Sequence, residues 1–528
     1  MTKIKRRLFI KQASISTAGL TYLAPTMFLQ GCTDKSSAKK FELDFNTIKP
    51  ISSDDFVLAK GFKSEVFLSK GDILNSAGEM FGSNNDYIAC VSLNEKEAIM
   101  WVNHEYPNTL FVSGWRYGDK KKNKKQVDLE RQSVGGSLVH IKLENGQWKV
   151  VKNSKYNRRI SGETKIPISA PRELSGSKVA IGTLANCAGG VTPWNTFLTC
   201  EENYDNFYGE RMADGSTSPS PLMWEKFYKQ PPEHYGWVVE VNPKTGESKK
   251  LTSLGRFAHE SATCVVAKNG KTVVYSGDDR NDQFVYKFVS SELNSLEVGE
   301  LFVADIKNGK WISLDIEKQP LLKKRFKDQT EVQVNCREAG KILGATPLDR
   351  PEDIEVHPKT GEVFIALTNN KKRKNYFGSI LKITPHNGDH GSDKMTATDF
   401  LIGGETLSCP DNLLFDPVGN LWVCTDISGS SIGKSPYKKF KHNGLFIVPT
   451  EGRYAGEAFQ VGSAPNDAEL TGLCLTPNKD GLFLSVQHPG ERSKSLDEPS
   501  SHWPDGGSSK PRSSVVRISG EIFTKMWT

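Results

Sequence analysis

The chain has no Cys-x-x-Cys pair and no regular spacing among its cysteines, which excludes a zinc ribbon and a disulfide framework. Beyond residue 32 it has no apolar run near the roughly 20 residues that a membrane-spanning helix needs. Its lysine clusters, KKKNKK at 120 to 125 and KKRK at 371 to 374, lack the interleaved aromatics of a nucleic-acid groove. They are expected to be solvated loop charge, and no nucleic-acid partner is expected. No helical periodicity is sustained, and no strong motif offers a Ser or Asp nucleophile.

What the chain does have is 528 residues of ordinary globular composition, 37% hydrophobic and 25% charged. That is enough for one large repeat domain or two to three conventional ones. The formal charge of +7 arises from 69 basic and 62 acidic residues, a balance consistent with weak steering of anions.

Residues 1–32 read as an address. Arg6 and Arg7, followed by Leu8, Phe9, Ile10 and Lys11, give a twin-arginine pattern, and the mildly apolar stretch behind them ends in LQGC. This predicts export by the twin-arginine translocase and a membrane anchor through lipidated Cys32, at the periplasmic side or cell surface. Such substrates cross folded, which suits a metal centre loaded before export. Residues 33–45 form a Lys/Ser linker, and 46–528 are expected to be a single domain and a monomer. Apart from Cys32, the cysteines read as buried apolar fillers, with Cys187 a possible exception.

Six short apolar runs each stop at polar, metal-loving side chains: IMWVNHE at Asn103 to Glu105, FLTCEEN at Glu201 and Glu202, VVYSGDD at Asp278 and Asp279, VFIALTNN at Asn369 and Asn370, LWVCTD at Asp426, and LFLSVQHP at Gln487 and His488. A side chain just past a strand leaves the packed layer, so six such ends can converge on one polar pocket. Turn signals recur behind apolar runs at VNPKTGESKKL, VAKNGKTVVYSG, VHPKTGEVFIAL, FDPVGNLWVCTD and LTPNKDGLFLSV, the grammar of antiparallel hairpins. Repetition of this unit predicts an all-β fold, a six-bladed β-propeller. Six blades of about 40 to 50 residues leave a surplus at Pro107–Leu174, Tyr204–His234 and Lys307–Gly344. Those long inserted loops, with short helices, are expected to cover one face.

Three segments concentrate the chemistry. NCAGGVTPWNTFLTCEEN combines Gly189 and Gly190, a stiff entry at Pro193 and Trp194, and Cys187, Glu201 and Glu202 as ligands. In RFAHESA, His259 and Glu260 face opposite sides of a strand; Glu260 is expected in the site and His259 in the core or behind a ligand. In DRPEDIEVHP, Arg350 beside a metal cluster would be a bidentate phosphoryl clamp, with Glu352 next to it. Otherwise it is a surface ion pair. The remaining strand ends supply oxygen donors suited to Ca²⁺.

These segments, WVNHE, NCAGGVTPWNTFLTCEEN, GRFAHE, SGDD, DRPEDIEV, CPDNLLFD and SVQHPG in that order, resemble the PhoX-type alkaline phosphatases, exported bacterial phosphomonoesterases related to propeller proteins of unknown function. The resemblance implies two oxo-bridged Fe³⁺ ions with three Ca²⁺ ions. Cys187 would be the iron thiolate, and Glu260, Glu352 and one of Glu201 or Glu202 carboxylate ligands, with Glu105, Asp278, Asp411 and Asn103 serving the ions or their surroundings. Arg350, with His488 and Trp194, would contact substrate, and Arg350, Glu352 and Cys187 would carry catalysis. The bridging oxide is a candidate nucleophile on phosphate monoesters. Asp353 is a departure, expected to add negative charge beside the clamp. Two other readings remain open at this point: a calcium-dependent lactonase propeller, and an anchored propeller that binds a partner without catalysis.

Overall fold

The computed structural model describes residues 47–527; the twin-arginine segment, Cys32 and the 33–45 linker lie outside them. Six sheets of four or more strands account for almost all of the strand structure. Their inner strands are Asn85–Asn94, Asn186–Val191, His259–Val266, Pro351–Val356, Pro410–Phe415 and Glu469–Leu475, for blades one to six. Each inner strand touches the next, and the sixth touches the first. The ring is therefore a closed six-bladed propeller. Chain closure comes from the N-terminal side: Lys63–Ser69 is the outer strand of blade six, paired with Ser514–Ser519, and Val57–Leu58 edges blade five.

All six polar-tipped runs are the second strands of their blades: Glu97–His104, Phe197–Glu201, Thr272–Asp278, Val363–Leu367, Leu421–Thr425 and Gly481–Gln487. They are buried along nearly their whole length. A second strand is sandwiched between the neighbouring blades, so both of its faces are apolar and it reads as a continuous run rather than an alternation. The core accordingly divides into interblade layers. Val273 and Tyr275 of blade three pack on Ile354 and Ile365 of blade four, and Phe364 and Ala366 of blade four on Leu413 and Val423 of blade five.

Four of the five turn motifs join an inner strand to its second strand; VNPKTGESKKL joins the third and fourth strands of blade two. The surplus is placed differently from expectation at Pro107–Leu174, where Gly135–Glu144 and Gln147–Val150 are the outer strands of blade one and Lys165–Ser169 adds to blade two in parallel. The segments that do leave the sheets are 105–134, 202–237, 426–443 and 488–513, each joining a second strand to a third, and the helices Pro320–Arg325, Gln329–Val334 and Cys336–Ile342. They stand on the face where the second strands end. Lys122, from the first lysine cluster, does not reach solvent with its side chain: the ammonium group meets Glu130 at 2.5 Å and lies over the Trp115 ring.

Candidate metal centre

Every inner strand carries the same irregularity near its start. Pairing with the second strand skips one residue between Asn85 and Ile88, Asn186 and Gly189, Glu260 and Thr263, Pro351 and Ile354, Pro410 and Leu413, and Thr471 and Cys474. In each case three steps along the inner strand oppose two on its partner, a β-bulge that re-aims the side chains it contains. The first bulged residue is Asp86, Cys187, Glu352 and Asp411 in blades one, two, four and five. In blade three it is Ser261, with Glu260 immediately before it, and in blade six it is Gly472. Gly472 has φ +58°, and a Cβ there would lie 2.1 Å from the Asp86 carbonyl oxygen, so only glycine lets these two strands approach so closely. Four inner strands are also entered through a left-handed non-glycine residue: Asn84, Ala185, Arg350 and Cys409. Such backbone strain concentrates at functional sites.

The bulges bring residues from different blades together. Ligand atoms of Asp86, Glu105 and Cys187 lie within 4.8 Å of one another, as do those of Cys187, Glu202 and Glu260. The Cys187 thiol reaches Asp86 Oδ2 at 3.2 Å. Gln487 Nε2 bridges Asp86 Oδ2 at 3.0 Å and Glu105 Oε2 at 2.8 Å. Across the site, Arg350 grips Asp279 through Nε and Nη2 at 2.7 and 2.8 Å, and Nη2 also meets Glu352 Oε1 at 2.8 Å. Thr368 Oγ1 donates to the same Glu352 oxygen at 2.9 Å. His488, with φ +37°, lies 3.3 Å from Glu469 Oε2 through Nε2.

The electrostatics suit a cation site. Burial pushes the Glu105, Glu202, Glu260, Glu352, Asp411 and Glu469 carboxyls well above the usual carboxylate range, and their mutual repulsion adds to it. Asp86 is raised to about 7 by burial, and burial with the nearby carboxylates raises the Cys187 thiol. So many buried acids ionise together only when positive charge is supplied. Asp86 Oδ1, Glu202 Oε1 and Glu260 Oε2 are buried without a hydrogen-bond partner. Buried oxygens left over in this way need a partner, and one thiol among many carboxylates is a donor set for hard cations with one softer transition metal. The residues fit a multinuclear iron and calcium group.

Several expected site residues lie elsewhere. Glu201 is saturated by Lys250 Nζ at 2.6 Å and the backbone NH groups of Leu184, Gly236 and Trp237, so Glu202 is the member of the pair that faces the centre. Asp278 is held bidentate by Arg337 at 2.6 and 2.8 Å; its neighbour Asp279 takes the site position. Asn103 spends both ends of its amide on protein, accepting from Trp101 and Thr199 and donating to the Cys187 and Ala188 carbonyls, so it fixes the Cys187 backbone rather than binding an ion. Trp194 sits in the turn between inner and second strands, at the other end of the blade from the centre, donating to Glu240 at 2.9 Å. Asp353 does not crowd the Arg350 clamp. It accepts from Ser261 Oγ at 2.5 Å and Leu413 NH at 2.9 Å, tying blades three, four and five. His259 is fully buried between Ser276 Oγ and the Gly255 carbonyl, and burial lowers its pKa to about 3.

Asp86 and Glu469 were not singled out in the sequence. Their signal is positional: each opens an inner strand, as do Cys187, Glu260, Glu352 and Asp411.

The family model for alkaline phosphatase PhoX matches residues 43–490. The chain belongs to the PhoX alkaline phosphatase family. Pseudomonas fluorescens PhoX, solved in complex with vanadate, a transition state analogue, is similar at 31% identity and a TM-score of 0.82, covering 91% of this chain and 98% of that one. A protein of unknown function from Dyadobacter fermentans aligns at 10% identity and a TM-score of 0.39 over 87% of this chain and all of that one, and Trypanosoma rangeli sialidase at 8% and 0.38 over 89% and 61%. Likenesses that distant carry no argument. No curated protein matches the chain by sequence. PhoX membership makes the chain a phosphoric monoester hydrolase of a metal-dependent, exported family.

Proposed function

We propose that this PhoX family member cleaves phosphate monoesters at the ring of bulged inner strands, with Asp86, Glu105, Cys187, Glu202, Glu260, Glu352 and Asp411 holding two iron and three calcium ions. The observation that carries this reading is the meeting of Cys187 with carboxylates from several blades, beside an arginine that is itself held in place. When bound, the cluster supplies Lewis acidity and the activated nucleophile, in a reaction whose uncatalysed rate is among the slowest known. The chain's own groups do the rest. Arg350, fixed by Asp279, presents its remaining Nη1 edge to the non-attacked phosphate oxygens and stabilises their charge. Glu352 and Thr368 set the other side of that guanidinium. His488, held by Glu469 and the Asp467 carbonyl, borders the path of the leaving group.

Export by the twin-arginine route, with lipid attachment at Cys32, belongs to the same proposal. It rests on Arg6, Arg7 and the LQGC run; among the described residues no helix is long and apolar enough to cross a membrane.

Protein purified without chelator and replete in iron and calcium is expected to hydrolyse p-nitrophenyl phosphate at alkaline pH. Absence of turnover at full metal content would overturn the assignment.

A further inference from the structure

A pocket of about 630 Å³ opens beside the cluster, between the connections 105–134, 202–237 and 488–513. It shares Glu105 with the cluster. Asn203, which contacts Glu202, and Ala185, which leads into Cys187, line it as well. Its volume lies in the range of small-molecule sites and far exceeds what a phosphate group needs. Tyr106, Leu110, Phe207 and Leu222 give it an apolar wall.

Two arginines also line this pocket, Arg116 and Arg492. Four other arginines on this face are paired with carboxylates: Arg350 with Asp279, Arg337 with Asp278, Arg280 with Asp205, Arg256 with Glu210. The Arg116 guanidinium has neither an ion pair nor a hydrogen bond among the described residues. Arg492 gives a single bond, to the Gly429 carbonyl at 2.8 Å. The neighbouring Glu491 forms no ion pair with it; Glu491 accepts from Tyr106 OH at 2.9 Å and lies 3.8 Å from His488 Nδ1.

We propose that this pocket receives the alcohol part of the substrate and selects phosphate monoesters whose leaving group carries a second anion, a carboxylate or a further phosphate, read by Arg116 and Arg492. The inference rests on the phosphomonoesterase reading. The reacting phosphate sits at the cluster, the carbon skeleton lies along the apolar wall, and the second anion meets guanidinium groups that no protein carboxylate occupies.

The test compares phenyl phosphate, 4-carboxyphenyl phosphate and a hexose bisphosphate on metal-replete full-length protein. The last two are expected to show kcat/KM about tenfold above phenyl phosphate, mostly through KM, with the advantage shrinking as salt rises. Arg116→Ala should cut that ratio several-fold, Arg116→Ala with Arg492→Ala should abolish it, and Arg116→Lys should restore part of it. A preference for the carboxylate or for the bisphosphate identifies which anion is meant. Equal kcat/KM for all three esters in the parent enzyme, or a ratio unmoved in the double variant, overturns the proposal. The matching non-hydrolysable phosphonates, titrated calorimetrically, separate it from the reaction itself. If no ester is turned over but the second anion still tightens binding in an Arg116-dependent way, the catalytic assignment fails and the pocket stands. If the phosphonates bind equally, the pocket fails.

Discussion

Arg350 and Asp279 face each other across the boundary between blades three and four in a two-point grip, 2.7 Å from Nε to Oδ1 and 2.8 Å from Nη2 to Oδ2. Asp279 follows the second strand of blade three, and Arg350 enters the inner strand of blade four through a left-handed backbone at φ +58°. The grip uses Nε and Nη2 and leaves Nη1 without a protein partner among the described residues; in the function proposed above, Asp279 is a positioning residue.

Asp279→Asn reduces the grip to one neutral acceptor and leaves Glu352 as the charged partner in contact with the guanidinium. KM for p-nitrophenyl phosphate is expected to rise about tenfold with a smaller change in kcat, whereas Arg350→Ala should cost about 10² to 10³ in kcat/KM. Steady-state kinetics on metal-matched samples decides. An Asp279→Asn enzyme with parental KM would show that Arg350 needs no such support.

Cys187→Ala removes the one thiol of the centre while leaving its bulge intact, because the backbone there is held by the Asn103 amide. Iron content should collapse, calcium should fall less, and activity should drop by about two orders of magnitude or more. Elemental analysis reads this directly; full iron retention would remove Cys187 from the ligand set.

The neighbouring pair Glu201 and Glu202 should behave oppositely. Glu201→Gln strands Lys250 in a fully buried site and is expected to destabilise the fold by about 3 to 5 kcal/mol. Glu202→Gln removes a repelled charge, so the metal-free protein should be no less stable while metal affinity falls about 10- to 100-fold. Denaturant melts with and without metal compare the two. Equal stability losses would contradict the assigned orientations.

How much of this was legible follows from where each residue sits. Second strands are buried on both faces, so their apolar runs and polar tips stand out, and the blade count and the face of the site could be read from them. Asp86 lies inside a bulge that breaks any alternation, and Glu469 is the first residue of its strand, so neither shows in the periodicity. Choosing between adjacent acids failed at Asp278 and Asp279 for a related reason. Which one turns inward depends on Arg337, from a helix far along the chain, claiming the other.

Chelation should reverse the usual acid lability. In the metal-free protein the folded-state pKa of Asp86, about 7, exceeds its unfolded value, and burial raises those of Glu105 and Glu260 as well. The folded state then binds more protons than the unfolded one, so stability is full below about pH 4 for these groups and declines as pH rises through 7 and beyond. Melting of chelated protein is expected to show a lower Tm at pH 8 than at pH 5.5, with added calcium and iron recovering the Tm at pH 8 and removing the difference. A Tm that rises with pH in the chelated protein would contradict the buried-acid account.

Anomalous X-ray scattering at the iron edge, on crystals of protein purified without chelator, bears most directly on the central claim. The account predicts iron peaks bounded by Cys187 Sγ and the carboxylates of Asp86, Glu105, Glu202 and Glu260. Iron bound elsewhere, or no iron among these side chains in crystals of an enzyme that still cleaves phosphate esters, would contradict it.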